Sequence, residues 1–76
     1  MRVNVDVYTQ DIDAALEAFR CAIMEGATDV RLNTGEDWET KEFEYCNLMF
    51  EIDHTAAILT DLDDGPFVKD RDQFDE

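Results

Sequence analysis

Acidic side chains are the residues that this sequence supplies in large enough numbers, and close enough together, to do chemistry. Asp and Glu number 20 against six Lys and Arg in 76 residues, a formal net charge of -14. Residues 36–53 carry a net charge of -6 and residues 61–76 a net charge of -5. Carboxylates pair well with guanidinium and ammonium groups. These two segments are therefore expected to bind a basic protein surface.

The net charge is large enough to compare with that of DNA. A folded chain of this length is expected to be about 29 Å across. Duplex DNA carries one charge per roughly 1.7 Å, so a charge of -14 corresponds to about 24 Å of duplex. Because phosphates would meet a repelling surface, direct binding of nucleic acid is disfavoured. A partner whose basic surface holds nucleic acid is favoured instead.

The acids before Gly65 have the composition of a calcium-binding loop. An EF-hand needs ligands at loop positions 1, 3 and 5 and glycine at position 6. With Gly65 at position 6, Thr60 and Leu62 fill positions 1 and 3, and Arg71 stands where the bidentate glutamate belongs. The sequence therefore predicts no EF-hand, and only weak divalent binding by these acids stays open.

Cys21, Cys46 and His54 are the other residues whose side chains could take part in chemistry. Structural zinc sites use four ligands in paired spacing, which these three do not supply. One disulfide could join the cysteines, but buried, reduced thiols are favoured. A Cys–His nucleophile pair has no local support, and no glycine-rich phosphate loop is present. We therefore predict a protein that is not an enzyme and needs no cofactor.

Hydrophobic periodicity predicts the first two elements that position these residues. Residues 2–8 alternate strictly, which is typical of a half-buried strand. A helix is expected from about residue 11 to 25, with a cap at Thr9 or Asp11 and a left-handed stop at Gly26. The helical stripe expected to pack on the sheet comprises Ile12, Ala15, Leu16, Phe19, Ala22 and Ile23.

The next segments are predicted to be strands. A short strand is expected over residues 28–33, followed by turn residues. Residues 38–53 favour a strand whose inward face changes at Tyr45 and Cys46, as a β-bulge would cause, with a helix over 36–47 as the alternative. In the strand, Glu42 and Glu44 would share a face about 6.6–6.8 Å apart.

A last strand is predicted over residues 56–62, after a hairpin turn that contains His54. The fold class is therefore α+β: a small antiparallel-rich β-α-β-β-β sheet with one helix on one face. Residues 1–76 form a single domain, in which the acidic tail 67–76 either docks through Phe67 and Phe74 or frays. The longest apolar run and the alternating N-terminus predict no membrane span and no secretory signal.

Trp38 lies among acids, an arrangement that suits a protein interface in which an aromatic anchor supplies affinity and charges supply steering. For Trp38 this interpretation and ordinary core packing are balanced, whereas Phe43 and Tyr45 are favoured as core residues. The candidate partner-binding residues are Glu36, Asp37, Trp38, Glu39, Glu42, Glu44, Asp61, Asp63 and Asp64.

In size, charge and the acid-rich segment 36–44, the sequence resembles small phage-encoded anti-CRISPR proteins that inhibit type I CRISPR effector complexes as DNA mimics. The resemblance is to a profile over the whole chain, so no contact residue carries over. It implies that the acidic face occupies a Lys- and Arg-lined channel of an effector subunit in the cytoplasm of a bacterial host. Occupation would block the target DNA or its PAM without chemistry.

Three other functions fit the same composition. One is an antitoxin-like or regulatory partner of a basic nuclease or toxin, and another is a small enzyme that uses Cys21 or Cys46. The third is an ordinary acidic domain from a halophile, since the chain has 12 Asp and 8 Glu but 2 Lys. A halophilic domain would lose structure in low salt, whereas a mimic would stay folded there and bind more tightly.

Overall fold

The computed structural model describes residues 1–70 and contains one three-stranded antiparallel sheet and two helices. The strands are β1 (Arg2–Thr9), β2 (Thr28–Glu36) and β3 (Phe43–Asp53), and the helices are α1 (Ile12–Met24) and α2 (Ile58–Asp64). The strand order is β1-β3-β2, so the longest strand is central and pairs antiparallel with both neighbours. The predicted α+β class is confirmed.

The alternation in β1 gives the sheet an inner face, which both helices cover, and an open face. Val7 lies opposite Leu48 of β3, and Val5 lies opposite Phe50. Directly paired residues point to the same side of a sheet, so these side chains meet beneath the helices. The fully buried members of the core on β3 are Cys46, Leu48, Phe50 and Ile52.

Helix α1 begins and ends close to the predicted residues. The Asp11 carboxylate accepts the N–H of Ala14 at 3.1 Å, which satisfies one of the free donors of the first turn. The chain leaves the helix through Gly26, whose φ of 91° is the left-handed conformation that glycine adopts without strain.

Alanines carry most of the contact between α1 and the sheet. Ala15, Ala18 and Ala22 are buried, and their small side chains let the helix approach closely. Three large members of the predicted stripe lie mostly outside this contact: Ile12 is 47% exposed, Leu16 52% and Ile23 52%. The prediction that the whole stripe packs on the sheet is therefore wrong for these residues.

The predicted last strand is also wrong, because residues 58–64 form helix α2. Ile58 and Leu62 stand one helical turn apart and both enter the core, whereas a strand would have turned Thr60 inward with them. The Glu25 carboxylate at the end of α1 accepts the N–H of Ala57 at 2.8 Å and of Ile58 at 3.4 Å. The turn after β3 therefore joins a strand to a helix.

The β2–β3 hairpin extends beyond the end of β1. Strand β1 ends at Thr9, opposite Cys46, whereas β2 continues to Glu36, beyond the predicted 28–33. A register shift leaves Glu44 as an extra residue of β3, so a bulge lies beside the predicted position. Residues 36–47 are therefore neither one strand nor a helix, since a turn separates β2 from β3. We call residues 35–45 the hairpin arm.

The start of the C-terminal tail docks on the body. Phe67 packs against the core, and Val68 exchanges two backbone hydrogen bonds of 2.8 Å with Tyr8 on the outer edge of β1. Phe74, the other aromatic residue considered for docking, lies outside the described residues. Within residues 1–70, no helix is long and apolar enough to cross a membrane.

Candidate functional site

Asp37 organises the turn at the tip of the hairpin arm. Its Oδ1 atom accepts the N–H of Glu39 at 2.9 Å and of Thr40 at 3.1 Å. Its backbone carbonyl accepts the N–H of Lys41 at 2.7 Å, and its own N–H donates to the carbonyl of Glu42 at 2.8 Å. These bonds hold the tip in one conformation, so Asp37 has a positioning role.

The hydrogen bonds at the tip predict an acid-sensitive turn. The N–H groups of Thr40 and Glu39 hold the pKa of Asp37 below its ordinary value of 3.8. A depressed folded-state pKa stabilises the turn at any pH above 3.8, and this contribution is lost as the pH falls through the folded-state pKa. NMR should therefore show the amide signals of Glu39 and Thr40 moving with a midpoint below 3.8. Asp37→Asn keeps an acceptor oxygen but should abolish the transition, and its persistence there would contradict the assignment.

Trp38 is the most exposed aromatic residue that the structure describes, with 81% of its surface accessible. The Lys41 ammonium lies 5.9 Å from the ring centroid, within cation–π range. The core interpretation of Trp38 is therefore wrong, and the side chain stands free for an intermolecular contact. Lys41 occupies one place where a cation of a partner could stack.

The remaining acids of the hairpin arm lie on both sides of Trp38 along the chain. Glu36, Glu39, Glu42 and Glu44 are all exposed. The predicted row of Glu42 and Glu44 along one strand face is wrong, since Glu42 precedes β3 and Glu44 is the bulge residue. The arm instead presents its charge around a narrow hairpin. With Asp37 and Lys41 included, its net charge is -4.

The other three candidates lie on α2, a different element from the arm. Asp61, Asp63 and Asp64 are exposed, and the last turn of α2 contains no basic residue. The C-terminal end of a helix carries the negative end of its dipole, so acids there weaken the helix. The structure thus divides the nine candidates into six on the arm and three on α2.

Phe43 and Tyr45 lie outside the core, contrary to the prediction. Phe43 is 43% exposed. Tyr45 packs across Gly35 on the open face of the sheet, where a Cβ atom on Gly35 would come within 2.1 Å of the ring. Its ring also meets that of Tyr8 edge-on, with centroids 5.7 Å apart. A glycine within a strand was the signal for this close approach.

The two cysteines are free, as predicted. Cys46 is 1% exposed and Cys21 is half-buried, and burial raises the pKa of both thiols. His54 lies in the turn after β3, as expected, with Nδ1 3.4 Å from an Asp53 oxygen. Among residues 1–70, no group of three or more His, Cys, Asp or Glu residues is arranged to hold a metal ion.

The length of the molecule changes the comparison with DNA. The longest dimension is 41 Å, because the hairpin arm projects from the body, in place of the expected 29 Å or so. Residues 1–70 carry 17 acids and five bases, a net charge of -12. This is one net charge per about 3.4 Å of length, which matches the spacing of phosphates along one strand of B-DNA. The length expected from the sequence had instead suggested a charge density close to that of the whole duplex.

Comparisons with known proteins assign the chain to no group: no protein-family model, no curated protein and no solved structure matches it.

Proposed function

We propose that the protein is an acidic DNA mimic that binds a basic, nucleic-acid-binding surface of another protein through its hairpin arm. The observation that carries the proposal is the exposure of Trp38, 81%, at the tip of an arm that holds five acids. Apart from its contact with Lys41, so exposed a tryptophan adds nothing to the packing of the core. It is the residue type most enriched in the centres of protein interfaces.

The shape of the arm supports insertion into a groove. A two-stranded hairpin that extends past β1 is narrow, and its tip is fixed by the Asp37 hydrogen bonds, so little conformational entropy is lost on binding. Its net charge steers approach to a basic groove, and Trp38 supplies the apolar contact once the arm is inside.

The average net charge per unit length supports mimicry of a nucleic-acid strand. One net charge per about 3.4 Å equals the phosphate spacing of one B-DNA strand. Asp63 and Asp64 oppose the dipole of α2, and an arrangement that costs stability fits selection for binding. In this proposal the arm makes the main contacts, and the α2 acids add attraction at longer range.

The proposed partner is a subunit of a type I CRISPR effector complex, in the cytoplasm of a bacterial host. The arm would occupy the Lys- and Arg-lined channel that receives PAM-containing target DNA, so inhibition would need no catalysis. A basic nuclease or toxin presents similar chemistry. A pull-down from the host separates the two, because it identifies the partner directly.

The experiment adds the protein to purified type I effector complexes and measures their binding of target duplex. We expect at least one complex to lose DNA affinity and to retain the protein on a sizing column. Trp38→Ala should weaken this inhibition by about 30-fold, as loss of an interface anchor does. Met24→Ala is the matched control, since Met24 is 73% exposed but lies on α1.

The proposal is wrong for type I complexes if none of them loses DNA affinity and none retains the protein. Equal inhibition by wild type and Trp38→Ala would show that Trp38 does not anchor the contact with the partner.

A further inference from the structure

Helix α1 presents large apolar side chains that the fold covers only in part. Ile12, Leu16 and Ile23 are each about half exposed, and Phe19 is half-buried with one side packed against the core. These four residues are spaced by four, three and four positions, which aligns them along one side of the helix. We call them the α1 stripe. They follow directly on the buried alanines, so the apolar surface of α1 is wider than its contact with the sheet.

The two flanks of α1 differ in what covers them. On one flank, Ala14 and Cys21 face α2, which also packs toward β1 through Leu59 and Leu62. The α1 stripe occupies the other flank, which lies toward β2. Strand β2 is an edge strand, so its outer side has no partner strand within residues 1–70. An uncovered helix flank and a free strand edge therefore adjoin on the same side of the molecule.

We propose that two copies of the chain pair around a twofold axis through their α1 stripes, with the two helices antiparallel. In this arrangement Ile12 of one copy packs against Ile23 of the second, and Leu16 packs against Phe19. Each of the four residues of the α1 stripe then packs against one residue of the other copy. Such self-complementarity is what a twofold interface requires.

The charges beside the α1 stripe are complementary in the same arrangement. Asp13 and Arg20 follow Ile12 and Phe19 by one position, on the solvent side of the stripe. Antiparallel pairing places Asp13 of each copy opposite Arg20 of the other. Arg20 bonds Glu17 within its own helix, with Nη2 2.5 Å from Oε1, and its remaining donors can reach a second carboxylate. The interface therefore gains two opposite-charge pairs.

Sheet geometry allows the helices to meet. Helix α1 contacts β3 and β2 more than β1. If the two β2 edges pair at the usual spacing of about 4.8 Å, helices above the β3–β2 gaps stand about 10 Å apart. This agrees with the roughly 8–10 Å at which helices pack. A stable interface uses about 20 residues or more from each partner, so the β2 edges must contribute as well as the α1 stripe.

Sedimentation equilibrium tests the pairing on the full chain. We expect wild type to reach twice the mass of the 8.8 kDa chain at submillimolar concentration. Leu16→Glu and Ile23→Glu should each raise the dissociation constant at least ~100-fold, because both copies then bury a carboxylate. Thr60→Glu, at an exposed position on α2, is the matched control and should leave it unchanged. A wild-type monomer at millimolar concentration, or a dimer that Leu16→Glu leaves intact, would overturn the proposal.

A charge exchange tests the antiparallel arrangement and the identity of the occupant. In a dimer of Asp13→Arg, the introduced guanidinium of each copy would face Arg20 of the other. In a dimer of Arg20→Asp, the introduced carboxylate of each copy would face Asp13 of the other. Both contacts are repulsive and occur two times in each dimer, so each variant alone should be monomeric. Their mixture should restore the dimer mass, since the introduced guanidinium then faces the introduced carboxylate, and Arg20 of one variant faces Asp13 of the other. Failure of the mixture to associate would reject the arrangement. This pairing does not rest on the proposed function, because neither variant changes the hairpin arm.

Discussion

Replacing Leu48 by alanine should lower the free energy of unfolding by about 3 kcal/mol. Leu48 is 1% exposed at the middle of the central strand, opposite Val7 on one side and Leu32 on the other. Truncation removes its transfer free energy and leaves a cavity that packed neighbours cannot fill. A domain of this size is stable by roughly 4–11 kcal/mol, so the loss is a large fraction of the total.

The neighbouring residue provides the control for Leu48→Ala. Met49 follows on the same strand but points to the open face, where it is half-buried. Met49→Ala carries the same change in strand propensity and should cost about 1 kcal/mol or less. Urea unfolding followed by circular dichroism measures both variants. Equal losses would contradict the assignment of an inner and an open face to β3, and a larger loss in Met49→Ala would reverse it.

Neutralising three acids of the hairpin arm should weaken partner binding on the order of 100-fold. The triple variant Glu39→Gln, Glu42→Gln, Glu44→Gln removes three exposed carboxylates of the hairpin arm and keeps Asp37, which holds the turn. Three direct charge contacts of about 1 kcal/mol each give this loss. The measurement is the affinity for the partner that retains the wild-type protein, by calorimetry at low salt.

The acids of α2 provide a control of equal charge. Asp61→Asn, Asp63→Asn, Asp64→Asn removes the same number of charges and should cost less than about tenfold, through weaker steering alone. Equal losses in the two triple variants would show that net charge, and no particular contact, sets the affinity. Removing Asp63 and Asp64 should also stabilise α2, because both oppose its dipole.

Raising the salt concentration should change the affinities of the two proposed interactions in opposite directions. Binding of a basic partner should weaken as salt rises, because counterions screen opposite charges. Pairing of two copies should strengthen, because each carries a net charge of -14 and the α1 stripe itself is apolar. One salt titration therefore assigns a measured association to one surface or the other.

Periodicity was sufficient to predict the elements whose patterns have one interpretation. Strict alternation fixed β1, and helical spacing with an acidic cap and Gly26 fixed α1. The change of parity near Tyr45 indicated a bulge, which lies one position earlier, at Glu44. In each case local backbone preference and burial favour the same conformation, so no tertiary information was needed.

Short or broad apolar patterns were not sufficient. Ile58 and Leu62 share a face both in a strand and in a helix, and the choice was made by the space beside α1 and the Glu25 cap, which no sequence window contains. The stripe of α1 is wider than one contact surface, so the sequence did not determine which part the sheet would take. The adjacent run of alanines was the available signal.

The sequence indicated which residues of the candidate site lie close together, but not the conformation of the turn that holds them. Trp38 and the acids of residues 36–44 do lie together, on one projecting hairpin. The order of the turn could not be foreseen, because it depends on Asp37 accepting two N–H groups and on a φ of 62° at Lys41. Such conformations are rare for residues other than glycine and are fixed by their surroundings.

The central position of β3 also determines when the molecule can form during synthesis. Arg2 pairs with Asp53, so β1 leaves the ribosome long before its partner strand exists. Strand β2 likewise pairs only with β3, and residues 1–42 therefore contain no pair of neighbouring strands. Contacts between distant parts of a chain close large loops and slow folding. The complete sheet consequently forms late, once β3 has been made, whereas the hairpin arm needs only the local pairing of β2 with the start of β3 and can form before β1 joins the sheet.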